Sequence, residues 1–204
     1  MIAIIDYKAG NLASVSNALD RLMAGYIITN RPDNLDNADA VIFPGVGHAG
    51  SAMKDLKQNG LDVWLKQTTK PVLGICLGMQ LFFETTTEGK TDTLGVIPGR
   101  LEKFDSSKGK VPHMGWNTVS IRKKHPLMAG IAPGTHFYHV HSYFAPVTGH
   151  TIAESAYSAP FTAAAAYKNY VGVQFHPEKS GSAGEQLLRN FLNMVYGGTR
   201  TTMA

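Results

Sequence analysis

The first 76 residues alternate short apolar runs with longer segments of helical periodicity, and this alternation restricts the possible folds more than any other feature of the chain. In the helical segments apolar residues recur every three or four positions, as on one face of an amphipathic helix. Strands that are apolar on both faces and separated by helices are typical of a parallel sheet covered on both sides. We therefore predict a doubly wound α/β fold, with strands over residues 2–5, 26–29, 40–43 and 71–75 and helices over 11–24, 49–66 and 79–85.

Beyond residue 95 the pattern changes to short, β-rich segments separated by turn residues, which is typical of hairpins and a mixed sheet. A closing helix over 183–196 is introduced by Ser182 and Glu185, which have the spacing of a capping box. The chain contains no repeat and no linker, so we expect one domain over residues 1–204. The strands of this second half are predicted over residues 99–104, 118–122, 135–145, 151–157, 161–167 and 170–175.

Composition excludes several classes of protein. The 44% hydrophobic and 17% charged residues fit a globular chain, and no apolar run approaches the ~18 residues of a membrane span. The amino terminus has no basic region before its apolar run, which indicates a strand and not a signal peptide. The net charge is +4, and its densest basic cluster, residues 122–124, is more typical of a solvated turn than of a nucleic-acid site. We expect a cytoplasmic protein with no nucleic-acid or membrane partner.

The chain has one cysteine, Cys76, which excludes an intramolecular disulfide and a cysteine-based zinc site. It stands in Gly74-Ile75-Cys76-Leu77-Gly78, between a predicted buried strand and a helix, and this is the thiol form of a nucleophile elbow. A helix N-terminus stabilises a thiolate, and the free amide of Leu77 lies where an oxyanion would form. A buried structural thiol is the alternative. We expect no metal and no cofactor.

A thiol nucleophile needs a base, and the base needs a group that orients it. His176 follows the predicted strand over residues 170–175, and Pro177 ends that strand. In an extended segment residues two apart face the same side, so we expect Glu178 to reach the imidazole and fix its tautomer. The chain has 8 histidines, so the assignment of His176 as the base rests on its combination with Cys76.

The segment Pro44-Gly45-Val46-Gly47 ends the third predicted strand. Glycines on both sides of Val46 permit a peptide flip, so the loop can turn an amide toward an oxyanion. By itself such a segment is more often an ordinary turn.

Together these motifs resemble those of a known family, the class I (triad) glutamine amidotransferases. The resemblance rests on Pro-Gly-Val-Gly, then Gly-Ile-Cys-Leu-Gly-Met-Gln, then Val-Gly-Val-Gln-Phe-His-Pro-Glu, and it covers nearly the whole chain. It implies a flavodoxin-like fold, with a mostly parallel sheet, helices on both faces and a small antiparallel β insertion. It also implies glutamine hydrolysis through a cysteinyl thioester, with Cys76 as nucleophile, His176 as proton carrier and Glu178 orienting His176.

The same resemblance implies further contacts to the substrate. The backbone amides of Leu77 and of Val46 or Gly47 would hold the oxyanion. The residues implied to bind glutamine are Gly45, Gln80, Ser142 and Tyr143.

Three other segments, residues 1–12, 112–117 and 138–143, resemble one subgroup of the family. Its members are glutaminase subunits that pass ammonia to a separate (βα)8-barrel cyclase subunit in histidine biosynthesis. The length of about 200 residues suits a glutaminase whose acceptor chemistry lies on another chain. The resemblance implies a heterodimer with L-glutamine as substrate. His139 departs from the subgroup pattern, in which an apolar residue is expected. The residues implied to face the cyclase are Gly10, Asn11, Met114, Trp116 and Asn117.

The motifs leave alternatives open. A glutaminase subunit serving anthranilate, aminodeoxychorismate or pyridoxal phosphate synthesis would share the triad. A free-standing γ-glutamyl hydrolase would need no partner, and a non-catalytic flavodoxin-like binding module would survive the loss of Cys76. We also expect the isolated chain to be nearly inactive, because the glycines around Val46 let the loop amide point away until a partner binds.

Overall fold

A computed structural model of the chain describes residues 1–8 and 11–197. Gly10, which belongs to the predicted partner-facing segment, lies outside the described residues. The α-helices are α1 (Leu12–Arg21), α2 (Pro32–Asp36), α3 (Ala49–Gln58), α4 (Leu61–Gln67), α5 (Leu77–Gln80) and α6 (Gly181–Tyr196). The strands are β1 (Ile2–Ile5), β2 (Tyr26–Thr29), β3 (Ala40–Gly45), β4 (Val72–Cys76), β5 (Thr85–Thr86), β6 (Thr91–Asp92), β7 (Arg100–Lys103), β8 (His113–Ile121), β9 (Thr135–His141), β10 (Tyr143–Phe144), β11 (Thr151–Ala156), β12 (Pro160–Tyr167) and β13 (Tyr170–Val173).

The main sheet has nine strands in the order β2-β1-β3-β4-β13-β12-β11-β8-β9. The first five strands of this order are parallel, and the remaining four pair antiparallel with their neighbours. The parallel part has the 2-1-3-4-5 order of flavodoxin-like sheets. The predicted doubly wound fold is therefore confirmed, and most of the antiparallel insertion extends the same sheet.

Helices cover both faces of the parallel part because residues on each strand alternate between two apolar cores. Ile2 and Ile4 of β1 face a core that includes the inner faces of α1 and α6. Ala3 and Ile5 face a second core that includes α2, α3 and α4. Each face of the sheet is thus buried, as the continuously apolar strands predict.

A small second sheet has the order β10-β7-β5-β6. The helix predicted over residues 79–85 is present as α5, but it begins earlier and ends at Gln80, and Thr85 pairs with β6 and β7 of this second sheet. Threonine is β-branched and favours a strand over a helix. The strand predicted over residues 135–145 also divides, because β9 stays in the main sheet and β10 pairs with β7.

Two helix predictions need correction. The predicted helix over residues 49–66 is two helices, α3 and α4, separated where Gly60 adopts a φ of +68°. The closing helix begins at Gly181, so Ser182 lies inside it and the predicted capping box does not form. Ser180 precedes that helix, and its hydroxyl instead donates to the carbonyl oxygen of His176 at 2.6 Å. None of the helices within residues 1–8 and 11–197 combines the length and apolar character needed to cross a membrane.

Candidate active site

The turn from β4 into α5 presents Cys76 at the carboxyl end of the parallel sheet. Cys76 has a φ of +53° and a ψ of −108°, a backbone conformation that non-glycine residues rarely adopt. A Cβ added at Gly78 would overlap the carbonyl oxygen of Phe43, and one added at Gly74 would lie 2.7 Å from the amide nitrogen of Met79. Both flanking glycines are thus required by close backbone packing, and the predicted elbow is present.

His176 and Glu178 form a buried pair beyond the end of β13. Nδ1 of His176 lies 2.8 Å from Oε1 of Glu178, and the two side chains are 4% and 2% exposed. The sequence predicts an extended segment here, but residues Pro177–Lys179 form a 3₁₀ turn, since the fixed φ of Pro177 suits the first position of a helical turn. This turn, and not the alternation of a strand, brings Glu178 back to the imidazole.

The charge of His176 is set by opposing effects. Burial lowers the pKa of His176, but attraction to the Cys76 thiolate, a hydrogen bond with that sulfur and the contact with Glu178 together raise it to about 10. Because Nδ1 faces Glu178, Nε2 is the nitrogen left for Cys76. The arrangement favours an imidazolium beside the sulfur, which can give a proton to a leaving group.

Strand β9, at the far edge of the main sheet, returns to the ends of β4 and β13. The amide of His176 donates to the carbonyl oxygen of Tyr138 at 2.9 Å, and Sγ of Cys76 lies 3.7 Å from the carbonyl oxygen of Val140. The curled sheet therefore closes one side of the site. Sequence reasoning did not predict this contact.

Two buried glutamines lie between the nucleophile and β10. Nε2 of Gln80 donates to the carbonyl oxygen of Tyr143 at 2.8 Å and to Oε1 of Gln174 at 3.0 Å. Nε2 of Gln174 in turn lies 3.7 Å from Sγ of Cys76. Sequence reasoning assigned no role to Gln174, although a glutamine inside the apolar run before His176 is a signal that could have identified it.

These side chains meet at a cavity of about 320 Å³. A larger groove of about 570 Å³ beside α3 contains none of them, so the larger of the two volumes does not identify the candidate active site. The predicted residue Gly45 does not line the cavity; it pairs with Cys76 in the sheet, and a Cβ there would overlap the Tyr7 hydroxyl. The predicted residues that line the cavity are Cys76, His176, Leu77, Val46, Gly47, Gln80, Ser142 and Tyr143, and those without a predicted role are Glu88, Pro112, Val140, His141 and Lys179.

The loop after β3 borders the nucleophile. Val46 is 42% exposed, and Gly47 has a φ of +98°, in the region that favours glycine. The register of β3 with β4 places this loop directly beside the elbow. Val46, Gly47 and Leu77 all line the cavity that Cys76 lines.

The predicted partner-facing residues separate into different environments. Met114 and Trp116 are 64% and 57% exposed on one face of β8, where Trp116 packs edge-on against Tyr138. Asn117 projects from the opposite face and donates to the carbonyl oxygen of Ala156 at 2.9 Å. Asn11 caps α1 by accepting from the amide of Ser14 at 3.2 Å. Only the first two thus form an exposed apolar surface.

One cluster in the described part of the chain could hold a metal ion, and it consists of His113, His139 and His141. His139 occupies the position where an apolar residue was expected, and it is fully buried. His141 also lines the cavity. The cluster does not include Cys76, His176 or Glu178.

Comparison with known proteins places these features in a family context. Residues 3–195 match the family described as glutamine amidotransferase class-I. The chain is 47% identical over 195 residues to imidazole glycerol phosphate synthase subunit HisH of Bacteroides fragilis, covering 95% of this chain and 99% of that one. The HisH subunit of Blochmanniella pennsylvanica is 46% identical over 194 residues, with coverage of 95% and 99%.

A solved structure gives the same picture for the fold. The structure of PurLQS from Thermotoga maritima superimposes with a TM-score of 0.69 at 18% identity, covering 95% of this chain and 98% of that chain. At that identity the likeness concerns the fold alone.

Proposed function

The chain belongs to the class I glutamine amidotransferases, and from that membership we propose that it is the glutaminase subunit of an imidazole glycerol phosphate synthase. The observation that carries the proposal is one cavity lined by both Cys76, on a strained elbow, and His176, whose imidazole is paired with the buried Glu178 outside the cavity lining. The relatives named as subunit HisH match nearly the full length of the chain, which favours this synthase over others that share the triad.

The reaction begins with attack of the Cys76 thiolate on the side-chain amide carbon of L-glutamine. The developing oxyanion would be held by the amide of Leu77 and by an amide of Val46 or Gly47. His176 then gives its proton to the departing ammonia, which leaves a γ-glutamyl thioester on Cys76. Water, deprotonated by His176, hydrolyses the thioester to glutamate and regenerates the thiolate.

Binding of the glutamine backbone groups is proposed for the polar residues that line the cavity with Cys76. Gln80, Ser142 and Tyr143 line the cavity, and Gln174 holds Gln80 in place through its 3.0 Å hydrogen bond. Gly45 would act without lining the cavity, because its pairing with Cys76 keeps the following loop close to that residue. The polar residues share the cavity with His176, which supports a pocket sized for one amino acid.

The ammonia is proposed to pass to a (βα)8-barrel cyclase subunit. That subunit makes imidazole glycerol phosphate and aminoimidazole carboxamide ribonucleotide in histidine biosynthesis. Met114 lies opposite Val140 in the pairing of β8 with β9, and Val140 also lines the cavity. The exposed surface of Met114 and Trp116 is thus continuous with the site where ammonia forms. Direct transfer would keep ammonia from being protonated in water.

The partner would also regulate the reaction. The two glycines flanking Val46 allow the loop amide to turn, and one oxyanion donor is worth about 10²–10³ in rate. We expect the isolated chain to hydrolyse glutamine slowly, and the cyclase subunit with its ligand to favour the productive orientation. The free thiol of Cys76 fits a reducing compartment such as the cytoplasm, and residues 1–204 would act as one domain.

The test compares glutamate release by the wild type and by Cys76→Ala, each alone and with the cyclase subunit. We expect fast release only for the wild type in the complex, and none for Cys76→Ala. Activity of Cys76→Ala would contradict the role of Cys76 as nucleophile. Equal rates with and without the cyclase subunit would contradict regulation through the Val46 loop. Stimulation by an anthranilate synthase partner in place of the cyclase would assign the chain to a different synthase.

Transfer of ammonia is tested in the same complex. Labelled ammonium added with unlabelled glutamine should contribute little nitrogen to imidazole glycerol phosphate. Labelled product in proportion to the free ammonium would contradict direct transfer.

A further inference from the structure

Three histidines project from one face of the β8–β9 pair, behind the wall of the cavity. His113 on β8 lies directly opposite His141 on β9, and His139 is two residues before His141 on the same face. The residue opposite His139 is Gly115, so no side chain competes for the space beside it. The register of two strands therefore brings three imidazoles together.

The distances between the rings match those of a metal site. Nε2 of His141 lies 3.3 Å from Nδ1 of His113 and 3.3 Å from Nδ1 of His139. Zinc–nitrogen bonds of about 2.0–2.1 Å in a tetrahedral site place two ligand nitrogens about 3.3 Å apart. The three candidate ligand atoms all lie within 4.8 Å of one another, so a small ring rotation completes the set.

Hydrogen bonds within the cluster leave it incompletely satisfied. Nδ1 of His141 donates to the carbonyl oxygen of Tyr143 at 2.9 Å, so its Nε2 carries a single lone pair. Nδ1 of His113 and Nδ1 of His139 both face that lone pair, which cannot accept two well-formed hydrogen bonds. Nε2 of His139 is buried without any partner. A cation that accepts one lone pair from each ring would remove this competition, and it would move the proton of His113 to Nε2, where the Asn117 amide 3.3 Å away has to turn its oxygen toward the ring.

Burial keeps the three rings neutral, and the residues around them make the cluster an all-nitrogen ligand set. Burial lowers the pKa of His113 to about 4, that of His139 to about 2 and that of His141 to about 3, so all three can act as ligands at neutral pH. The rings of Phe104 and Phe161 pack against the cluster. In the described part of the chain no thiol or carboxylate joins this group.

We infer that His113, His139 and His141 form a binding site for a divalent transition-metal ion, with Zn²⁺ as the ion that three neutral imidazoles fit best. Three nitrogen ligands leave a fourth position for water. The hydrogen bond from His141 to the Tyr143 carbonyl is the outer contact that commonly orients a metal-binding histidine. His139 and His141 flank Val140, so the ion would fix the Val140 carbonyl beside Cys76. The ion takes part in no step of the proposed glutamine hydrolysis, although His141 and Val140 also line the cavity.

The test is zinc stoichiometry on the full chain. Protein freed of metal with a chelator is dialysed against a small excess of Zn²⁺, and bound zinc is counted by atomic emission. We expect one zinc per wild-type chain and none for His139→Phe. His136→Ala is the matched control, because His136 is exposed on the same strand, and it should retain one zinc.

Two further measurements keep the outcome decisive. Cys76→Ser should retain the zinc, and Co²⁺ bound to the wild type should give tetrahedral visible absorption without a thiolate charge-transfer band. If circular dichroism shows that His139→Phe does not fold, His139→Gln replaces it, with the same expected loss. Equal zinc in the wild type and the His139 variant, or loss of zinc with Cys76→Ser, would overturn the proposal.

Discussion

At the scale of single residues, the site depends on a backbone strain and on a buried ion pair. Cys76 holds a positive φ because β4 and α5 on either side of it are fixed by packing. Glu178 is almost completely buried, so its charge acts on His176 with little screening. The backbone strain of Cys76 and the raised pKa of His176 therefore both come from the surrounding structure.

Replacing Glu178 by glutamine should slow the reaction and shift its pH dependence. Loss of the negative charge removes a contact that raises the pKa of His176, so that pKa falls below its value of about 10. We expect kcat to fall about 10²–10⁴-fold and the alkaline limb of kcat/KM to move to lower pH, because the imidazolium loses its proton earlier. Glutamate release by the cyclase complex between pH 6 and pH 11 measures both effects.

Glu185→Gln provides the control for this substitution. Glu185 is half-buried on α6, where it pairs with Arg21 at 2.6 Å, and it does not line the cavity. It should leave both kcat and the alkaline limb unchanged. A Glu178→Gln variant with the pH profile of the wild type would contradict the role of Glu178.

At the scale of elements, close contact between β3 and α5 sets the position of the nucleophile. Gly78, in the first turn of α5, approaches the backbone of Phe43 so closely that a methyl group would overlap its carbonyl oxygen. The same approach brings the Val46 loop, which follows β3, next to Cys76. The contact between Gly78 and Phe43 therefore both packs β3 against α5 and holds the Val46 loop beside Cys76.

Gly78→Ala should destabilise the protein and impair catalysis together. The added methyl forces β3 and α5 apart, and overpacking of this kind costs about 1–3 kcal/mol in the free energy of unfolding. Urea unfolding measures the loss, and the cyclase complex reports the activity. Gly25→Ala is the control, because no atom lies within 4 Å of a Cβ there, and it should change stability by less than about 0.5 kcal/mol. Equal stability of the two variants would rule out the close contact.

At the scale of the whole molecule, the curled sheet puts the candidate catalytic cavity at β9 and an exposed apolar surface on the adjacent strand β8. Val140 lines the cavity, while Met114 and Trp116 on the neighbouring strand face outward. Aromatic residues in such positions often carry much of the binding energy of an interface. The arrangement suits a protein that makes a reactive product at the surface it shares with a partner.

Trp116→Ala should weaken binding of the cyclase subunit without altering the fold of the glutaminase. Loss of an aromatic hot spot costs about 2 kcal/mol, which raises Kd about 30-fold. Isothermal titration of the cyclase subunit into the variant measures this change. Val63→Ala is the control, since Val63 is also exposed but lies on α4, and its Kd should equal that of the wild type. Unchanged affinity for Trp116→Ala would place the interface elsewhere.

The sequence by itself determined the parallel core of the sheet, the elbow at Cys76 and the pairing of His176 with Glu178. These features depend on local rules: apolar periodicity, glycines at a tight turn, and residues only two positions apart. The limits of the same rules show at Thr85, where the predicted helix has already ended and the residue pairs with Asp92 and Arg100 in the second sheet.

Only the tertiary structure decided what surrounds the nucleophile. Gln174 reaches Gln80, β9 reaches Cys76, and His139 joins His113 because strands far apart in the sequence meet in one curled sheet. Such contacts depend on strand order and register, which are fixed when the two apolar cores form and are not encoded in any short segment. The chain therefore carries its candidate catalytic residues in short sequence motifs, whereas long-range packing determines which other residues surround them.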